Sequence, residues 1–305
     1  MDNKTVITEF ILLGFSADLS VNIALFLPFL IIYFVTIVGN GLIICIILVT
    51  PRLHVPMYFF LCNLSFIDFC YSSTAVPRLL SDPFSTHRTI SILACGIQLY
   101  IILLIGGTEC QLLVLMAYDR YIAICRPLRY PVLMRWSICY QLVAFAWVCS
   151  FMIYVFPTLL VPLKLCNRNQ INHFMCELLA VTKLTCEDIH LNEVGIFSIS
   201  FVSLLLPFLL ILVSYICILS SVLGIRGAER SKAFSTCTSH VIVVILFFGT
   251  GMFTYFGPSS NYSSDQDKYV AIFYFIICPM LNPLIYSMNN REVKKSIKVF
   301  FTKSI

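Results

Sequence analysis

Apolar residues gather in seven long stretches, near 23–49, 57–80, 91–119, 137–161, 194–222, 234–258 and 269–288. Roughly 20 such residues carry a helix across the hydrocarbon core of a bilayer. The pattern therefore predicts an all-α bundle of seven membrane-spanning helices. The polar connections are short, and the longest, Lys164 to Glu193, leaves no room for a second domain. The chain divides into a tail, 1–22, a spanning region, 23–288, and a last segment, 289–305. In that segment Val293, Ile297, Phe300 and Phe301 recur at helical spacing opposite Arg291, Lys294, Lys295 and Lys298. This predicts a short amphipathic helix lying on the inner leaflet. No cysteine follows Cys278 to add a lipid anchor.

With 59% hydrophobic and 11% charged residues, and a mean hydropathy of +0.92, a soluble domain is excluded. An odd number of spans puts the termini on opposite sides. Thirteen of the 20 Lys and Arg residues fall on the side of the C-terminus and seven on the other, which predicts an extracellular N-terminus and a cytoplasmic C-terminus at the plasma membrane. The net charge of +5 then reflects topology and contact with anionic membrane lipid, and calls for no nucleic acid. Met1 to Ser20 lacks the plan of a cleavable signal peptide, so the first span is expected to direct insertion. Asn3-Lys4-Thr5 is a credible glycan site on the outer tail. Asn63-Leu64-Ser65 falls inside a span, and Asn261-Tyr262-Ser263 lies close against the membrane.

Most of the 14 cysteines sit within spans, as small apolar packing residues. Cys95, Cys166, Cys176 and Cys186 fall outside them, on the oxidising face. An even set there predicts two disulfides with three possible connectivities. Two acids, Asp68 and Glu109, lie deep inside spans, where a carboxylate is costly and a functional role is the default. A third acid, Asp119, adjoins Arg120 at the end of an apolar stretch, followed by the basic, proline-broken run Cys125-Arg126-Pro127-Leu128-Arg129.

Several segments converge on one family. They are Leu12-Leu13-Gly14-Phe15, Gly39-Asn40, Pro56-Met57-Tyr58-Phe59-Phe60-Leu61, the block from Met116 through Asp119-Arg120-Tyr121 to Tyr130, Ser214-Tyr215, Lys232-Ala233-Phe234-Ser235-Thr236-Cys237, and Pro279 through Asn282-Pro283 to Tyr286. The chain resembles a vertebrate odorant receptor of the rhodopsin-like G-protein-coupled class over essentially its whole length. The resemblance implies that a small lipophilic odorant binds within the bundle, and that a stimulatory heterotrimeric G protein of olfactory type then raises cyclic AMP. It also pairs Cys95 with Cys176 and Cys166 with Cys186, with Cys95–Cys186 less favoured. His173-Phe174-Met175-Cys176-Glu177 has the residue types of a copper site, but a disulfide sulfur is no thiolate ligand.

By the same resemblance Asp68 and Asn282, with Glu109 added, form a candidate sodium site. The acids could instead share a proton; the structural alternative is a protonated carboxyl bonded to neighbouring hydroxyls. No other cofactor is implied. Arg120 is expected to receive the G protein, with Asp119, Tyr121, Tyr215, His240, Asn282, Pro283 and Tyr286 serving coupling and activation. The sixth span usually offers Arg120 an acid at rest, whereas here Arg226, Arg230 and Lys232 stand with only Glu229. Asp119, Tyr215 and His240 are expected to restrain Arg120 instead, although a packing histidine is an equal reading of His240. Asn282-Pro283 is expected to break the last span.

The expected ligand cavity comprises Ile102, Leu103, Gly106, Gly107 and Cys110 on the third span. Facing them by resemblance are Ile199 and Ser203, then Phe248, Gly251, Met252 and Tyr255, then Ile272 and Phe275. The two glycines either open space for a ligand or let helices approach closely. No acid stands at Ile102 or Leu103 to meet an amine. Phe247-Phe248-Gly249-Thr250 departs from the family's Phe-Tyr-Gly-Thr and removes a hydroxyl at Phe248.

Other classes fit less well. No His-Glu-x-x-His, Gly-x-Ser-x-Gly or phosphate-binding glycine loop suggests an enzyme. A retinal protein needs a mid-span lysine in the seventh helix, and Lys268 stands at its edge. A channel or transporter could use Asp68 and Glu109, but no inverted repeat supports it. The nearest alternative is a rhodopsin-like receptor for a non-odour lipophilic ligand.

Overall fold

The computed structural model describes residues 8–16, 18–85, 88–160, 169–185, 189–224, 228–256 and 264–303. Seven helices are long and apolar enough to cross a membrane: Leu19–Val49, Pro56–Phe84, Ile92–Cys125, Trp136–Leu160, Ser198–Leu223, Cys237–Thr254 and Lys268–Met288, here the first to seventh spans. The fifth and sixth helices run past their apolar cores, as Ile189–Leu223 and Ala228–Phe256. Local chemistry starts several of them. Asp18 accepts from the Ser20 N–H at 2.9 Å, Ser91 accepts from the Ala94 N–H at 3.2 Å, and Pro56 opens the second helix where no N–H partner is needed.

The third helix lies at the centre, with Leu112, Leu113, Met116 and Ala117 fully buried. It runs to Cys125, so Asp119 and Arg120 sit inside its final turns and not at its end as the polar residues suggest. Its stop is set by Pro127, before which Arg126 leaves helical geometry.

Two spans carry a π-turn, Phe151–Val155 in the fourth and Phe273–Ile277 in the seventh. Each closes two residues before a proline, Pro157 or Pro279. A proline supplies no N–H to the turn before it, and the ladder there can widen. Pro28, Pro77 and Pro207 sit in unbroken α-helix, so proline permits the wide turn without dictating it. The expected break at Pro283 is absent: Cys278–Asn289 continues through it, and the irregular turn lies upstream.

One end of the bundle, the sheet end, carries three short strands that the helical pattern does not foretell. Strand β1 (Glu9–Leu12) pairs antiparallel with β2 (Thr89–Ser91) and parallel with β3 (Gln170–Ile171). Alternation along β1 turns Phe10 and Leu12 inward, onto a disulfide between Cys95 and Cys176. Gly14, with φ of 74°, turns the chain beyond it, and a side chain there would meet the Arg88 guanidinium at 3.0 Å. Cys166, Cys186 and Asn3 lie outside the described residues.

At the opposite end, the Arg120 end, the final helix Arg291–Lys303 leaves the seventh span at Asn290. The Asn290 side chain accepts from the N–H groups of Glu292 and Val293, and from the Tyr58 hydroxyl at 3.1 Å. Val293 is buried and Ile297 and Phe300 pack beside it on the bundle, while Lys294, Lys295 and Lys298 face outward. The amphipathic helix is therefore present.

Candidate functional site

Three groups of residues converge along the third span. Towards the sheet end is a cavity of about 340 Å³ with a predominantly apolar wall. Of the expected residues, Ile102, Leu103, Gly106, Gly107, Cys110, Ile199, Ser203, Gly251 and Phe275 line it. Phe248, Met252 and Ile272 do not. On the sixth helix the lining positions are Phe247, Gly251 and Thr254, one face at helical spacing. Phe248 and Met252 stand a residue round, and Phe248 packs its ring 5.7 Å from that of Phe208. Ile272 is likewise off the face formed by Ala271, Tyr274 and Phe275, and packs against the core. Tyr255 belongs to the sixth helix, but its side chain lies outside the described residues.

The two glycines accommodate tyrosines. A Cβ on Gly106 would stand 2.3 Å from the Tyr71 hydroxyl, and one on Gly107 would stand 2.3 Å from the ring of Tyr154. Tyr154 belongs to the π-turn of the fourth span, and Tyr274, from the π-turn of the seventh, lies 3.3 Å from the Tyr71 hydroxyl through its own. All three line the cavity and none was foreseen. The proline two residues past each wide turn is the one signal the sequence offers for them. Glu177, Leu178 and Thr182 close the cavity from the loop after the fourth span. The neighbouring His173 accepts from the Met175 N–H through Nδ1, at 3.2 Å, so its proton resides on Nε2, 3.3 Å from Glu177 Oε2. Cys176 is used in the disulfide, which removes a copper ligand from this loop.

Below the cavity Asn282 donates from its amide to both carboxylate oxygens of Asp68, at 3.1 and 3.0 Å. Glu109 is buried within electrostatic reach of Asp68. The structure thus brings the three expected residues together, with the amide nitrogen of Asn282, a donor, turned to Asp68.

At the Arg120 end the contacts differ from those expected. Asp119 accepts from the Tyr130 hydroxyl at 2.9 Å, and no ion pair joins it to Arg120 among the described residues. Tyr215 and His240 clasp one another at 2.8 Å, their rings stacked, and His240 Nε2 lies 3.1 Å from the Leu113 carbonyl. That carbonyl only accepts, so Nε2 carries the proton and Nδ1 receives the Tyr215 hydroxyl. The result ties the third, fifth and sixth spans together through a neutral histidine. Arg120 sits among Tyr58, Tyr215, His240 and Tyr286, close enough for its charge to be felt by each. Its Nε and the Tyr286 hydroxyl are buried without hydrogen-bond partners. Tyr121 packs beside Ile218 and Val222 of the fifth span.

Comparison with known proteins decides what this arrangement belongs to. The sequence profile of the olfactory receptors matches residues 29–304. This chain belongs to the olfactory receptor family. It is 46% identical to olfactory receptor-like protein OLF3 of Canis lupus familiaris over 294 residues, 96% of this chain and 93% of the relative. Human olfactory receptor 2A5 is 46% identical over 97% of this chain and 96% of its own, and mouse olfactory receptor 8U9 is 47% identical over 97% and 95%. The olfactory receptor is thus a multi-pass membrane protein of a G-protein-coupled receptor family, and not an enzyme.

Proposed function

We propose that this receptor binds a small neutral lipophilic molecule in the cavity beside Gly106 and Gly107, and passes the signal along the third span to Arg120. One observation carries the reading: a single helix lines a largely apolar cavity near one end and near the other holds an arginine whose buried Nε lacks a hydrogen-bond partner. The volume of about 340 Å³ falls at the small end of the roughly 300–1,000 Å³ typical of ligand sites. Ligand binding would bias the Tyr215–His240 clasp, freeing the sixth span to move and exposing Arg120 to a stimulatory G protein of olfactory type, with cyclic AMP as the output.

The excess of Lys and Arg at the Arg120 end supports a cytoplasmic position for that end, and a disulfide at the sheet end suits the oxidising outside. Asn3 then carries a glycan, and the final helix rests on the inner leaflet. In this reading Asp68 and Glu109 share one positive charge, a sodium ion or a proton, which offsets the burial of two carboxylates. Agonist response measured against sodium for the wild type and Glu109→Gln separates the two, since only the ion makes the wild-type response sodium-dependent.

The test is cyclic AMP in transfected cells exposed to a chemically diverse panel of volatiles, with surface expression measured in parallel. A response that Arg120→Ala abolishes without loss of surface receptor is expected. A response unaltered in Arg120→Ala overturns the coupling role, and ion or substrate flux without any G protein overturns the receptor reading.

A further inference from the structure

The hydroxyl groups around the cavity are not equivalent. Thr158, Thr182 and Thr254 each donate to a backbone carbonyl of their own helix, to Tyr154, Leu178 and Thr250 respectively. Tyr71 and Tyr274 lie 3.3 Å apart, with the Ile102 carbonyl 3.5 Å from Tyr71 as a further acceptor. The Cys110 thiol donates to the Ser203 carbonyl at 3.2 Å. What is left is a group on the wall between the fourth and fifth spans: Tyr154, Ser203 and Ser200.

Tyr154 and Ser203 are side-chain neighbours on this wall. Two hydroxyls have two protons, and a bond between them would use at most one. Neither has another side-chain acceptor among the described residues, so one proton is left to donate into the cavity. The π-turn at Phe151–Val155 and the absence of a side chain at Gly107 are what allow the Tyr154 ring to stand there. Charge narrows the choice further. Among the described residues the lining contains no Lys, Arg or His, and its one carboxylate is Glu177. An anion would meet repulsion from that carboxylate, which stands 3.3 Å from the neutral His173 Nε2.

We infer that Tyr154 is the specificity-determining donor of this cavity, and that the receptor takes neutral lipophilic molecules bearing a hydrogen-bond-accepting oxygen, such as ketones and esters, in preference to hydrocarbons and carboxylates. This rests on the cavity reading given above and names the class of its ligand. A site built to donate a hydrogen bond discriminates strongly against an analogue that cannot accept it, because the buried donor is then left unpaired.

The experiment uses matched chains of six to ten carbons: n-alkanes, 2-alkanones, methyl esters and carboxylic acids, tested on surface-quantified receptor. Wild type is expected to respond to ketones and esters at concentrations at least about ten-fold lower than to the alkane of equal length, with the acids inactive at pH 7.4. Tyr154→Phe should erase that ratio by weakening the oxygenated members alone, and Ser203→Ala should largely keep it, since Tyr154 then has its proton free. Equal potency of alkanes and ketones on wild type, which needs no variant, overturns the inference while leaving the cavity reading intact. So does Tyr154→Phe lowering both equally. Silence to the whole series overturns the cavity reading and this inference with it.

Discussion

Asn40 of the first span donates its side-chain amide to the carbonyl of Pro279 on the seventh, 2.9 Å away. That carbonyl is the acceptor which residue 283 would satisfy in a regular helix, and Pro283 has no N–H to give. A Cβ on the neighbouring Gly39 would stand 3.1 Å from the Pro283 ring, so the glycine lets the two helices meet where the asparagine is needed. Two sequence motifs 239 residues apart are thus halves of one contact.

Replacing Asn40 with Leu leaves the Pro279 carbonyl buried without a donor, and should destabilise the receptor by about 1–3 kcal/mol. Pro283→Ala restores the missing N–H. The double variant Asn40→Leu/Pro283→Ala should therefore lose less than the sum of the single changes, read as thermal unfolding midpoints of detergent-purified receptor. Strict additivity would refute the pairing.

Gly107→Ala places a methyl group 2.3 Å from the ring of Tyr154. The ring must swing away, at a cost of about 1–3 kcal/mol in a packed interior. Combining it with Tyr154→Ala should recover much of that loss, a coupling visible in surface expression and melting temperature. If Gly107→Ala alone is harmless, the close packing of ring on glycine is wrong.

His173 lies outside the spans, and burial together with the Lys268 cation pushes its pKa down to about 3. In the unfolded chain the same group protonates near about 6.5. Between those values the unfolded state alone binds the proton, so stability is fully present above pH 6.5 and falls as the pH drops towards 3. The slope contributed by this residue is at most about 1.4 kcal/mol per pH unit. Melting curves of the purified receptor at pH 7.5, 6.5, 5.5 and 5.0 should show it, and His173→Asn should flatten it. An unchanged slope in the variant would assign the effect elsewhere.

Tyr215→Phe removes one side of the clasp on His240 while leaving the ring stack in place. A neutral hydrogen bond contributes about 1 kcal/mol, and a loss of that size from the resting state shifts a two-state equilibrium about five-fold. Basal cyclic AMP should rise accordingly, and further in His240→Ala, which also breaks the bond to the Leu113 carbonyl. Basal signalling unchanged in both variants would remove the clasp from the resting state.

The seven spans and the final helix were legible because lipid demands long apolar runs, and because Val293, Ile297 and Phe300 keep helical spacing. The end of the third helix was not. Asp119 and Arg120 look like interfacial charges until a partner such as Tyr130 is seen to bury one of them. Most of the cavity on the third span could be read, whereas Phe248 and Met252 were placed a residue off the inward face. That phase depends on which neighbour packs where, and Phe208 is remote in sequence. Tyr154 and Tyr274 were missed because a wide turn shifts every residue beyond it, and a proline is compatible with either a wide or a regular turn. The sheet escaped notice since its strands are two to four residues long and gain their stability across the chain.

That sheet also sets an order of assembly. Its central strand, Glu9–Leu12, is made before either of its partners, which lie at 89–91 and 170–171. It must wait through the synthesis of four spans before its second edge exists. A strand made early is thus among the last to find its place, and a receptor halted before Ile171 would display Glu9–Leu12 unpaired on one side. A chaperone acting during biogenesis would meet that segment in a state that the finished protein no longer shows.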